Sequence, residues 1–214
     1  MGKKEDLRFT LNRLYNCRDL EISNLWQRSV FLSVFLILCF TAYGYLALEL
    51  VNKLVGPKKI ISDDLLLLST ICLFITVVGT TFSLVWILMA KGSKAWYEVY
   101  ETAIHKFENA HYKKLKLPYD NIMGNMGLES RKKNENIFST KSGSYSTSRI
   151  NIAIGQITLV LWIILSIIHL IFNFYYCEIF DKYFWFNIAL TIIDILILYF
   201  IVISEYLKSS FLKD

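Results

Sequence analysis

Asp194 stands inside "ALTIIDILILYF", residues 189–200, where every near neighbour is apolar. An ionised aspartate at the centre of a membrane helix costs about 2.5–3.5 kcal/mol on insertion scales, so its placement requires a reason. At 100° per residue Asp194 shares a helix face with Asn187, Thr191, Leu198, Ile201 and Glu205. The opposite face carries Ile188, Ile192 and Ile195, which suit lipid. A second stripe of the same kind precedes it: Asn151, Gly155, Thr158, Trp162, Ser166, His169 and Asn173. Polar stripes on apolar helices either bond one another across a helix contact or line a path for ions or protons. If the two helices run antiparallel, His169 lies near the depth of Asn187, and Asp194 near that of Trp162. Trp162 then offers Asp194 an indole N–H, and Asp194 and His169 are not direct partners.

Other chemistry is poorly provided for. The chain carries no G-x-S-x-G, no H-E-x-x-H, no paired cytoplasmic aspartates and no Cys–His pairing, so no enzyme is expected and no catalytic residue is assigned. Glu108 and His111 form one Glu-x-x-His element, but di-iron bundles need two such elements and two further glutamates. A solvated helix face accounts for that pair, and neither a metal nor a cofactor is expected. Of the four cysteines, Cys39 and Cys72 fall in apolar runs, while Cys17 and Cys177 stand alone on opposite sides of the expected membrane. The basic residues are spread over several segments, which excludes a nucleic-acid face.

These residues sit on an all-α frame. More than half of the chain, 55%, is hydrophobic, and the excess is gathered into four blocks, each long enough for a hydrocarbon core that takes about 20 helical residues. The expected order is a cytoplasmic helix (1–28), a first span (29–51), a short external loop (52–64) and a second span (65–90). A cytoplasmic helix with a polar loop (91–149) follows, then a third span (150–174), an external loop (175–183), a fourth span (184–204) and a cytoplasmic tail (205–214). The first apolar run starts late and lacks a small-residue cleavage site, so it reads as a span and not as a secretory signal. Of the Lys and Arg residues, nineteen fall on the side of the two termini and the middle segment and four in the two short loops. The positive-inside rule therefore places both termini in the cytoplasm. Trp26, Trp86, Trp96, Tyr175, Tyr176, Tyr183, Phe184 and Trp185 mark the ends of the runs as interfacial belts do.

The two hairpins look unlike each other: the first reads as apolar, with Gly79 and Ser83 at a four-residue spacing that suits close helix packing, and the second is polar-striped. This argues against an inverted-repeat transporter. In the cytoplasmic parts, Leu7, Leu11, Leu14, Ile22 and Leu25 approximate one helix face. Trp96, Tyr100, Ala103, Ile104 and Phe107 line another, with Ala110 beside them, and Pro118 ends that pattern. This second face is expected to pack on the N-terminal helix or on its copy in another subunit. "ESRKKNEN" reads as a charged surface run, and Ser146, Thr147 or Ser148 as the cap of the third span. Lys91, Lys94 and Arg149 are placed to meet anionic head groups.

"WILMAKGSKAWYEVYETAIHKFE", residues 86–108, resembles the RipA-like family of octameric bacterial membrane proteins: a Trp near the end of span two, a short basic turn, then Lys94, Trp96, Tyr100, Ile104 and Glu108 on one helix. "STSRINIAIG", residues 146–155, resembles that family's approach to the following span. The resemblance implies a homo-oligomer of the bacterial inner membrane with no established activity, and it transfers no functional residue. The expectation is thus a non-enzymatic, oligomeric, four-span protein whose partners are the bilayer, its own copies and an unidentified cytoplasmic protein. The alternatives are an ion- or proton-conducting channel or small transporter using Asp194 and His169, or a membrane effector of a bacterial defence system regulated through the middle loop.

Overall fold

The computed structural model describes residues 3–55, 63–117, 146–176 and 182–203 together with Leu207. Four α-helices make up the described residues: α1 (Lys3–Val55), α2 (Asp63–Leu115), α3 (Thr147–Tyr176) and α4 (Lys182–Ile203). All four are long and apolar enough to cross a membrane. Pro118, the charged run, Cys177 and most of the tail lie outside the described residues. The helices α1 and α2 each hold 53 residues, more than twice the ~20 that a bilayer core requires. Each one therefore continues unbroken from an apolar span into a polar helix. Gly44 and Gly92 fall inside these helices and neither interrupts them.

The chain divides into two compact units, 1–28 with 89–151 and 29–88 with 152–214. The first is organised by a small apolar cluster. Leu11, Ile104 and Leu115 are buried, with Leu7, Leu14, Tyr15, Phe107 and Leu117 packed against them. Of the two alternatives for the face carrying Ile104 and Phe107, the contact with the N-terminal helix of the same chain is the one present. Trp96 stacks on Tyr100 further along α2, at 6.1 Å between ring centres. Arg28 donates to Ser93 at 3.1 Å, Tyr97 and Ser148 share a hydrogen bond of 2.7 Å, and Lys94 pairs with Glu98 one turn on.

Two helix ends in this unit, the last turn of α2 and the first of α3, have identifiable stops. At the end of α2, Leu117 N–H donates to the Tyr112 carbonyl and Lys116 N–H to that of Lys113, with Lys116 at φ 55°. This is the Schellman pattern with lysine in the left-handed position that usually takes glycine, and Leu117 adds the accompanying apolar contact. At the start of α3, Ser146 Oγ accepts from Arg149 N–H at 3.5 Å, the long form of an N-cap bond.

One expectation is overturned here. Glu108 is not on a solvated face; it is 2% exposed and accepts a 2.8 Å hydrogen bond from the Tyr15 hydroxyl. A carboxylate among Leu and Ile side chains needs such donors, because a buried charge without partners is strongly destabilising. Burial first, and then the bond to Glu108 and its charge, push the Tyr15 hydroxyl up from 10.0 to about 12. A folded-state value above the unfolded one means that, between these two, the unfolded chain has already lost the proton that the folded chain retains. Stability should therefore be insensitive to Tyr15 below about pH 10 and fall as pH rises from about 10 to about 12. Tyr15→Phe should remove that part of the alkaline loss and, at neutral pH, cost on the order of 1–3 kcal/mol. Thermal unfolding of the two proteins across this pH range checks both expectations.

Candidate functional site

Asn151 falls in the first unit, whereas the second contains the intramembrane stripe residues Thr158, Trp162, Ser166, His169, Asn173, Asn187, Thr191 and Asp194 singled out from the sequence. Its most enclosed helix is α2, whose most apolar window is 56% buried, against 11% for α1, 22% for α3 and 11% for α4. The buried face of α2 carries Ser69, Cys72, Leu73, Thr76, Thr80 and Ser83, all within 1% of full burial. These positions recur at helical spacing and make one stripe of small and hydroxyl-bearing side chains. The first hairpin is therefore not apolar throughout, as its overall composition implied. It presents a polar seam of its own, hidden by the leucines around it.

That seam meets α3 at three levels. At the first, Gly79 lies against Trp162, which is fully buried, and a Cβ added to Gly79 would overlap the indole ring. The indole also stacks on Phe40 at 4.2 Å between ring centres, with Tyr43 edge-on at 5.9 Å. At the second, Thr76 and Ser166 share a hydrogen bond of 2.6 Å. The Thr76 hydroxyl also donates to the Leu73 carbonyl, so its single proton is committed and Ser166 is the donor between the two. At the third, His169 is bonded on both ring nitrogens, by Tyr43 Oη at 3.0 Å on Nε2 and Ser69 Oγ at 3.0 Å on Nδ1. A neutral imidazole has one N–H and one lone pair, so one hydroxyl donates to the ring and the other accepts from it. Three helices, α1, α2 and α3, are thereby tied through one side chain.

The remaining stripe residues are placed differently. Thr158 donates to the Gly155 carbonyl and Thr191 to that of Asn187, so both hydroxyls satisfy themselves along their own helices. Ser83 does the same with the Gly79 carbonyl. Asp194 is buried at 8% exposure, as its face predicted. The expected bond from Trp162 is not made: the indole N–H and one oxygen of Asp194 both lack a hydrogen-bond partner among the described residues. The indole packs against Gly79, with Nε1 among the atoms nearest an added Cβ there, and stacks on Phe40. Asn173 and Asn187 are each 3% exposed and line a common cavity with Thr191.

On the expected lipid face of α4, Ile192 and Ile195 are more than half exposed, and Ile188 lines the cavity together with Ile192. Among the belt aromatics, Trp26, Tyr175 and Trp185 are exposed. Trp86 is not; it is 6% exposed and packs where a side chain on Gly155 would otherwise sit. Sequence reasoning missed Tyr43, Ser69, Thr76 and Thr80. The signal was present in the 69, 76, 80, 83 spacing, but average hydropathy conceals a one-sided stripe in a run that is otherwise so apolar.

A buried seam of small and hydroxyl residues joining membrane-length helices defines an integral membrane protein of the helical-bundle class. The sequence pattern of the Octameric membrane protein family (8xMP) matches residues 9–171, and the chain belongs to that family. The match covers α2, α1 from residue 9 onward and Trp162, Ser166 and His169 on α3; Asn173, Asn187 and Asp194 lie beyond it. No curated protein and no solved structure matches the chain.

The seam makes a quantitative demand on Gly79. Gly79→Leu should overpack the Trp162 site and destabilise the bundle by about 1–3 kcal/mol. Gly44→Leu, where nothing lies within 4 Å of the added Cβ, should be nearly neutral. Thermal stability of the two variants in detergent gives the comparison.

Proposed function

We propose that this chain is one subunit of a homo-octamer in a bacterial inner membrane and that it acts as a non-enzymatic scaffold. Family membership over residues 9–171 is the observation that carries the reading, because the family is described by its octameric state. The strong burial of α2 supports it from the physical side. Within the second unit the span of α2 is the most enclosed, and α1 and α4 turn apolar side chains such as Val30, Ile37, Ile195 and Leu196 outward, each more than half exposed. Those outer faces are available to acyl chains and to neighbouring copies. Both termini lie in the cytoplasm in this proposal, supported by the excess of Lys and Arg on that side. An unidentified cytoplasmic partner is accommodated by the polar helices outside the spans, where Phe9 and Leu20 are 63% and 60% exposed.

The polar seam acts here as internal glue. Most of its hydroxyls, and both nitrogens of His169, are spent on contacts within one subunit. A second reading, proton conduction, draws on one observation, the unbroken hydrogen-bonded run Tyr43–His169–Ser69. Purified protein in lipid nanodiscs should give a particle of eight subunit masses by native mass spectrometry; a clean monomer or dimer contradicts the scaffold. The same preparation in proteoliposomes should show proton flux at background, with Asp194→Asn retaining the octamer. A flux above background that His169→Leu abolishes would favour conduction instead.

A further inference from the structure

A cavity of about 330 Å³ opens between α3 and α4, lined by Leu170, Asn173, Phe174, Phe184, Asn187 and Ile188 together with Thr191 and Ile192. This is the low end of the size range of small-molecule sites. The Phe174 and Phe184 rings meet edge to face at 5.9 Å and form one wall. Phe174 and Ile192 are 62% and 51% exposed, so the mouth faces the same medium as the lipid-facing side chains. Asn173 is three residues from the end of α3 and Asn187 five from the start of α4. At 1.5 Å per residue both lie roughly 5–8 Å inside the helix ends.

The two carboxamides are the unusual feature. Each asparagine is 3% exposed, and neither Oδ1 nor Nδ2 of either one has a hydrogen-bond partner among the described residues. A buried amide left this way costs about 1–3 kcal/mol for each unmet group, and here two residues that line one cavity both carry that cost. Thr191, beside them, has already given its proton to the Asn187 carbonyl. Among the described residues no charged side chain lines the space, and an ionised carboxylate or amine would lose its water there with nothing in return from them. A plain hydrocarbon would fill the walls but leave four polar atoms unmet. A quinone carbonyl only accepts, and would serve the Nδ2 groups alone. A hydroxyl both donates and accepts, and so can link the oxygen of one amide to the nitrogen of the other. Exchanging O and N within either amide leaves that match intact.

We infer that the Asn173–Asn187 cavity is a binding site, entered from the bilayer, for a neutral amphiphile whose hydroxyl lies between the two carboxamides and whose alkyl chain runs past Phe174 and Ile192. The site goes beyond the scaffold reading and does not depend on the octamer. It is tested by photolabelling the full-length protein, in nanodiscs of phosphatidylethanolamine and phosphatidylglycerol, with a diazirine-bearing octanol. Mass spectrometry should find the adduct concentrated on residues 170–174 and 184–192. Asn173→Leu with Asn187→Leu, which keeps the fold apolar and removes the amides, should lower that labelling at least fivefold. Ile188→Trp, which fills the space and retains the amides, should do the same. Excess decanol should compete, whereas decane and decanoate should not. Competition by dioctanoylglycerol as well as decanol would place the natural occupant among glycerolipids, and competition by decanol alone among single-chain alcohols; either supports the site. Adducts spread evenly over the lipid-facing helices, labelling unchanged in both variants, or equal competition by decane would overturn it.

Discussion

Hydrocarbon offers a buried polar side chain no water to bond to, and in this protein that constraint falls hardest on the contact between α2 and α3. The two helices meet it in complementary ways. On α2 the contact is narrow and made of Ser69, Thr76, Gly79, Thr80 and Ser83, all of which let another helix come close. On α3 it is the row Trp162, Ser166 and His169, two large rings with a serine between them, about one turn apart and all buried. Small residues receive the large ones, and the hydroxyls between them close the hydrogen bonds. Interhelical bonds in membranes average only about 0.6 kcal/mol each, so the seam's main effect is on register and not on raw stability. Sliding α3 by one turn would set the indole against Ser83 or Thr76 and leave His169 without its two hydroxyls. The same geometry explains why α2 is the most enclosed of the four helices.

Outside the spans a different economy holds. The N-terminal part of α1 and the last part of α2 bury few residues, and their pairing rests on Leu11, Ile104 and Leu115 around one charged group, Glu108. Tyr15 supplies that carboxylate with a hydroxyl donor from the facing helix. A small apolar cluster with one satisfied polar bond has a defined partner geometry without needing a large core. The unusual lysine in the left-handed position at 116 lets α2 stop cleanly and returns Leu117 to the cluster.

Much of this was legible in the residues themselves. Four blocks of apolar residues with charged borders suffice to place four membrane-length helices, because span length and hydropathy are set by the bilayer and not by tertiary detail. The stripes on α3 and α4 were equally plain, since a His or Asp in an isoleucine run stands out one residue at a time. Partners were harder. Threonine and serine on α2 are common in membrane helices, and only their shared angle betrays a seam. Tyr43 could not be matched to His169 without knowing that α1 approaches α3 there, at a separation of 126 residues. Depth alone pairs Trp162 with Asp194, but the indole packs against Gly79 and stacks on Phe40, contacts that depth does not reveal. Trp86 and Glu108 were misplaced for a related reason. Both belong to residue classes that usually face an interface or water, and both are drawn inside by a specific neighbour, Gly155 for the first and Tyr15 for the second.

The central claim is that the polar stripe of α3 is satisfied by α2 of the same subunit, so the most direct measurement asks which chain the partner comes from. Cysteines placed at 76 and 166 in an otherwise cysteine-free protein, oxidised in native membranes, report this on a non-reducing gel. The account predicts a bond within one chain, seen as a monomer of altered mobility that reverts on reduction. A ladder of cross-linked dimers and higher species, with no such monomer, would contradict it.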